Sequence, residues 1–245
     1  MSLPKIVTPE YTTKLWSIKT PVRFRPYLVK EEKLLLTAKQ AGDVDSIERA
    51  VIQVLTNCTF GAIEIEKLPS FDLEYLFLQI RAKSVSETTK LQYDCQNLVR
   101  AEAARTSADD DGRCHAKVTI TVDLSKVALH VPDGARPTIT LKDGLKIELQ
   151  YPSIKQLITS DRTPVAAIAA SIKTIADQSG ALYEARDYST DELIEFVESM
   201  SVDDVAKFEQ FFTSMPTLKH EVEFVCTTCG YREPLTFEGL SAFFT

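Results

Sequence analysis

The chain has little of what most function classes require. With 8 glycines and 11 prolines in 245 residues it is neither collagen-like nor of low complexity, and no apolar run approaches the about 20 residues that a helix needs to cross a bilayer. Its three histidines, His115, His130 and His220, are scattered without a recurring carboxylate partner. A phosphate loop, a dinucleotide glycine pattern, a nucleophile elbow and an HExxH pair are all missing. The sequence therefore predicts no enzyme and no small-molecule substrate. Positive charge is also scarce: 28 Lys and Arg stand against 35 Asp and Glu, a net charge of −7. A general binder of nucleic acid or anionic membranes would need the opposite balance to displace counterions from phosphates. The first residues, MSLPKIVTPEYTTKLWSIKT, lack the apolar stretch of a secretory signal. Five cysteines, an odd number in a chain 44% hydrophobic and long enough to form a core without staples, fit a reducing compartment with free or metal-bound thiols. Synthesis in a cytosol is expected.

What is present reads as alternating blocks. Residues 1–27, with Pro4, Pro9, Pro21 and Pro26, predict an extended arm rather than a helix. From Leu28, LVKEEKLLLTAKQAG predicts a helix with Leu28, Leu35 and Leu36 as its apolar face and Gly42 beyond its end. Asp43 or Asp45 is placed to cap a second helix, on which Val44, Ile47, Val51, Val54 and Leu55 form one stripe. Ser70 is the expected cap of a third, FDLEYLFLQIRAKS, apolar on most faces and so central to the core. The middle alternates with period two in TKLQYDC and HAKVTITVDL, and Asp143-Gly144 marks a tight turn between two strands within Thr138 to Gln150. PVAAIAASIKTIADQ, STDELIEFVESM and SVDDVAKFEQFFTSM predict helices, with Ser189/Glu192 and Ser201/Asp204 at capping-box spacing. HEVEFVCTTCGYREPLTF predicts strand, cysteine turn, strand. Acid pairs such as Glu31-Glu32 and Asp203-Asp204 read as capping or solvated charge. The order predicts an α+β fold: helical segments (28–84 and 153–216) around antiparallel β-hairpins (87–150 with 217–238), all one domain over 28–245 behind the arm.

The sharpest local feature is Cys226-Thr-Thr-Cys229-Gly230. Two thiolates closing on one ion demand a tight turn, and a glycine after the second relieves its strain. A structural site takes four ligands. If the middle strands pair, Cys95 and Cys114 become neighbours and supply the second pair, making a four-cysteine zinc knuckle from which AEAARTSADDDGR hangs as a loop. Metal-free buried thiols and a redox dithiol are the competing readings, the last against the rule that redox CxxC pairs open a helix. His115 is a substitute ligand for Cys114. Cys58 reads as core packing.

Three stretches carry a resemblance: FRPYLVKEEKLLL at Phe24 to Leu36, LPSFDLEYLFLQIRAKSVSE at Leu68 to Glu87, and PTLKHEVEFVCTTCGYREPLTFEGLSAFF at Pro216 to Phe244. In this order and spacing they resemble the baseplate hub protein family of T-even-type contractile-tailed bacteriophages. The resemblance implies a virion protein of the central tail baseplate, made in the bacterial host, non-catalytic, and partnered by other hub or wedge proteins. It also implies a more compact first cysteine pair than Cys95 and Cys114, which Gln96 to Arg113 separate. A hub assembly chaperone that leaves before the tail matures is the alternative reading, and a zinc-ribbon nucleic-acid adaptor is disfavoured by the acidity. On the hub reading the arm is expected to lie on a neighbouring subunit through Tyr11, Leu15 and Trp16, with Trp16 as the anchor, because large aromatics dominate interface energies; the alternative is that it lies on its own domain and completes that domain's core.

Overall fold

The computed structural model describes residues 6–99, 111–132, 138–153 and 163–243. Six helices and eleven strands follow in the described residues, and the strands pair antiparallel throughout them. The arm forms β1 (Tyr11–Thr13) and β2 (Val22–Phe24), which pair with each other. Two helices follow, α1 (Val29–Ala41) and α2 (Val44–Cys58). Asp43 caps α2 by accepting the Ser46 N–H at 2.7 Å, and α1 ends on Gly42 in the left-handed region, φ 76°, where a side chain would be strained.

α3 (Ser70–Ser84) begins with Pro69, not Ser70, in the capping position, and no side chain caps it. The Pro69 carbonyl instead accepts the N–H groups of Asp72 and Leu73, both at 3.1 Å. The expectation of a helix buried on most faces holds: Phe71, Leu73, Leu76, Leu78, Ile80 and Ala82 are all buried. Its two sides serve two cores. Leu73, Leu76 and Ile80 meet the arm and α2, burying Leu15, Val22, Phe24, Val54, Leu55 and Cys58 with them. Leu78 and Ala82 meet the β-element, with Leu91, Ile120, Val122, Leu218, Phe224 and Phe243.

The β-element consists of two sheets. β3 (Thr88–Asp94) pairs with β4 (Lys117–Asp123) as one hairpin. β5 (Ala128–His130), β10 (Thr217–Val225) and β11 (Arg232–Glu238) form the other, with β10 central. A third core lies under the sheet β6 (Thr138–Thr140), β7 (Lys146–Leu149), β8 (Ile172–Ala176) and β9 (Leu182–Glu184), in that spatial order. It is covered by α4 (Pro164–Ser171), α5 (Thr190–Glu198) and α6 (Val202–Thr213), which bury Ile147, Ile168, Ile172, Val197, Phe208 and Phe211. Ser189 and Glu192 complete the expected capping box of α5, and Ser201 caps α6 by accepting the Asp204 N–H at 3.2 Å.

Sequence reading and structure part in three places. PVAAIAASIKTIADQ is not one helix: α4 stops at Ser171 and the β-branched run from Ile172 enters the sheet, where such side chains pack better than against a helical turn. α1 buries little of its expected apolar face: Leu35 alone of the three packs half-buried against the core shared with α2 and the arm. Leu36 is 53% and Leu28 39% exposed, whereas Glu31 and Ala38 are buried. Glu31 caps the start of α1, in keeping with one of its two readings, but is buried rather than solvated: it receives the Leu28 N–H at 2.8 Å and the Arg25 guanidinium at 3.0 Å. Burial opposes its ionisation, but the Arg25 bond and the Leu28 amide outweigh that and hold its pKa below the usual carboxylate value.

The arm, too, is less detached than expected. Leu15 is 4% exposed in the chain's own core, so it lies beneath the surface instead of reaching a neighbour. The fully buried Asp72 carboxylate accepts the N–H groups of Trp16 at 2.9 Å and Ser17 at 2.7 Å. This pins the middle of the arm to the first turn of α3, where a carboxylate also suits the helix dipole. Tyr11 is half-buried against Phe24, ring centroids 5.7 Å apart. Trp16 stays 52% exposed while its edge meets Phe71 and Tyr151, and Tyr151 stacks on Phe211 at 5.1 Å. These rings join the arm to the third core. No helix among the described residues is long and apolar enough to cross a membrane.

Candidate metal centre

The β3–β4 ladder continues past Asp94. Cys95 donates its N–H to Ala116 at 3.0 Å and accepts that of His115 at 2.9 Å, while Cys114 donates to Asn97 at 2.9 Å. The pairing brings Cys95 and Cys114 together across the gap in sequence. His115 takes a left-handed φ of 49° to complete the turn and points outward to Asp111, at 2.8 Å. It stands apart from the thiols and is not their substitute. Residues 100–110 of the intervening loop lie outside the described residues.

The second pair comes from the turn between β10 and β11. Cys226 donates its N–H to Tyr231 at 2.8 Å and accepts that of Gly230 at 2.9 Å. Gly230 sits at φ 76°, a conformation that a side chain would disfavour. The closed turn aims Cys226 and Cys229 at the tip of the neighbouring hairpin.

All four sulfurs lie within 4.8 Å of one another. Two contacts cross between hairpins, Cys95 to Cys229 at 3.7 Å and Cys114 to Cys226 at 3.8 Å. Four thiolates about 2.3 Å from a central ion define a tetrahedron with edges of about 3.8 Å, so the cluster has the dimensions of a closed four-sulfur site. All five cysteines are free thiols. Cys95 and Cys226 are buried, whereas Cys114 and Cys229 are half-buried.

The surroundings favour negative sulfur at some positions and oppose it at others. The Cys229 amide, against the cost of burial and with help from the Thr228 amide, lowers the Cys226 pKa to about 6. Desolvation pushes Cys95 up to about 12 against the Asn97 amide. The Ala116 amide works downward on Cys114, but burial and the neighbouring thiols raise it overall. In three cases the amide two residues after the cysteine is directed at its sulfur: Asn97, Ala116 and Thr228. Donors so placed offset part of the charge of bound thiolates. The Asn97 side chain adds an N–H toward the Cys229 sulfur at 3.6 Å. No spacing rule in the sequence singles out Asn97; it becomes visible only once the hairpins meet.

The remaining candidates are placed as follows. Cys58 is fully buried at the end of α2, 3.9 Å from the Arg25 guanidinium, and desolvation raises its pKa to about 11. His130 pairs with Thr217 in the β5–β10 ladder and His220 faces Phe237 across β10–β11. The geometry that could hold a metal thus belongs to four cysteines from two sheets that share no ladder among the described residues.

No curated protein and no solved structure matches the chain. A family model described as T4 bacteriophage base plate protein matches residues 8–245. Spanning the arm, all three cores and both cysteine pairs, the match shows that the chain belongs to the T4 bacteriophage base plate protein family.

Proposed function

We propose that the chain is a structural component of the central hub of a phage tail baseplate, acting by contact with other hub or wedge proteins, and that its four clustered cysteines hold one structural zinc ion. The observation that carries the baseplate reading is the family match over residues 8–245. The three stretches that resemble hub proteins favour the hub over the rest of the baseplate. The role is one of surface and shape, without catalysis. Trp16, 52% exposed, and the half-buried Tyr11 leave the arm aromatic surface for a neighbour even though Leu15 is committed to the interior.

Zinc is the ion that suits an all-cysteine set with tetrahedral spacing and no open position. Cys95, Cys114, Cys226 and Cys229 would hold it, and its work would be to tie the β3–β4 hairpin to the β10–β11 hairpin. A clamp between sheets without a shared ladder makes the free energy of metal binding part of the folding free energy of both hairpins.

The test is quantitative mass spectrometry of purified mature tails, alongside crosslinking. A constant stoichiometry and crosslinks to central baseplate proteins are expected. Absence from mature tails, with presence in assembly intermediates, would replace the structural reading by that of an assembly chaperone. Elemental analysis of the same protein, prepared without chelator, is expected to give about one zinc per chain.

A further inference from the structure

A groove of about 480 Å³ opens beside the outermost strand of the third core. Ile175 and Tyr183, direct partners across β8 and β9, form its floor, Leu193 and Phe196 of α5 form one wall, and Tyr188 stands at its mouth. β9 is the last strand of its sheet among the described residues, so its outer edge presents backbone groups to whatever approaches. Leu182 on that strand is 71% exposed, and Tyr183 and Tyr188 are each 41% exposed. A short edge strand bearing large apolar side chains beside an aromatic groove has the features used when a protein accepts an extended segment as an additional strand.

Charge defines what such a segment must carry. Between residues 177 and 192 five carboxylates, Asp177, Glu184, Asp187, Asp191 and Glu192, stand against one cation, Arg186. Arg186 is already engaged by Glu184 at 2.7 Å. Asp177 and Glu192 line the groove itself and are held by neutral groups. Asp177 accepts from Ser179, from the Ala181 amide and from the Tyr183 hydroxyl, and Glu192 accepts from the Ser189 amide and hydroxyl. Those bonds fix the carboxylates without neutralising them, so an arriving lysine or arginine would find both anions in place and aromatic faces to lie on.

We propose that this groove docks an extended basic segment of another protein, with an aliphatic or aromatic side chain seated among Tyr183, Tyr188 and Phe196 and flanking cations against Asp177 and Glu192. The segment adds to the outer edge of β9. This assignment goes beyond the hub reading and stands whether or not the chain resides in a hub.

The probe is a library of short synthetic peptides of varied charge, bound to the full-length protein, with hydrogen exchange to locate the bound peptide. Selected peptides are expected to be basic around one large apolar residue, to protect residues 182–184 and 188–196, and to weaken as salt rises. Tyr188→Ala, at a half-exposed site, should weaken the best peptide about tenfold, and Glu192→Gln should remove much of its salt dependence. Binders that are acidic or uncharged, protection elsewhere, or an affinity unchanged by Tyr188→Ala would overturn the proposal. So would a dimer in sedimentation that Tyr188→Ala abolishes, since the occupant would then be a second copy of this chain.

Discussion

Removing the metal from the four-cysteine cluster is the perturbation with the largest calculable effect. The paired sulfurs of the two hairpins are separated by 112 and 134 residues in sequence. Tying segments about that far apart lowers the entropy of the unfolded chain by an amount worth roughly 5 kcal/mol on the polymer estimate used for crosslinks. For a chain of this size each 1 kcal/mol moves the melting temperature by about 2–4 °C, so loss of zinc should lower Tm by about 10–20 °C. Calorimetry of the purified protein before and after a zinc-specific chelator measures this directly. Cys226→Ser combined with Cys229→Ser provides an independent route, with zinc content followed by elemental analysis. Far-UV circular dichroism should show the helices surviving at low temperature, because α1, α2 and the arm share a core that excludes the cysteines of the cluster. A zinc clamp is refuted if protein prepared without chelator holds no zinc, if the double variant retains it, or if chelation leaves Tm unchanged.

Asp72→Ala orphans the Trp16 and Ser17 amides and should cost about 2 kcal/mol; urea unfolding gives the figure, and limited proteolysis should show cleavage at Lys14 and Lys19 first. Glu31→Ala leaves Arg25 buried without its carboxylate and should cost about 3 kcal/mol, whereas Arg25→Met with Glu31→Leu should recover most of it; equal stabilities for the single and double variants would contradict this. Asp204 is held from its ordinary 3.8 down to about 2, foremost by Lys207 and then by Ser201. A depressed folded-state pKa gives stability that is present above pH 4 and lost as pH falls toward 2, so Asp204→Asn should be destabilised at pH 7 and the gap to the parent should close across that window.

Much of the architecture was legible because local rules and burial agreed. Period-two alternation marked β3 and β4, Asp143-Gly144 marked the turn before β7, and serine-acid spacing marked the starts of α5 and α6. α3 declared its central place by being apolar on most faces. Where local signals were balanced the sequence misled: Ile172 to Ala176 continues the apolar composition of α4, and only the neighbouring edge of β7 decides that it is a strand. The cysteines illustrate the same division. The CTTCG turn was readable from spacing and from its glycine, but the meeting of Cys95 with Cys229 and of Cys114 with Cys226 depends on how two hairpins pack, 134 and 112 residues apart. The buried Arg25–Glu31 pair and the Asp72 anchor of the arm were unreadable for a related reason. A charged residue in sequence looks solvated whatever its fate, and it is tertiary structure that supplies the partner able to offset its desolvation. Sequence periodicity indicates which apolar side chains leave water; which of them then touch is settled by the packing of distant segments, and that is where the four-cysteine cluster and the arm's attachment arise.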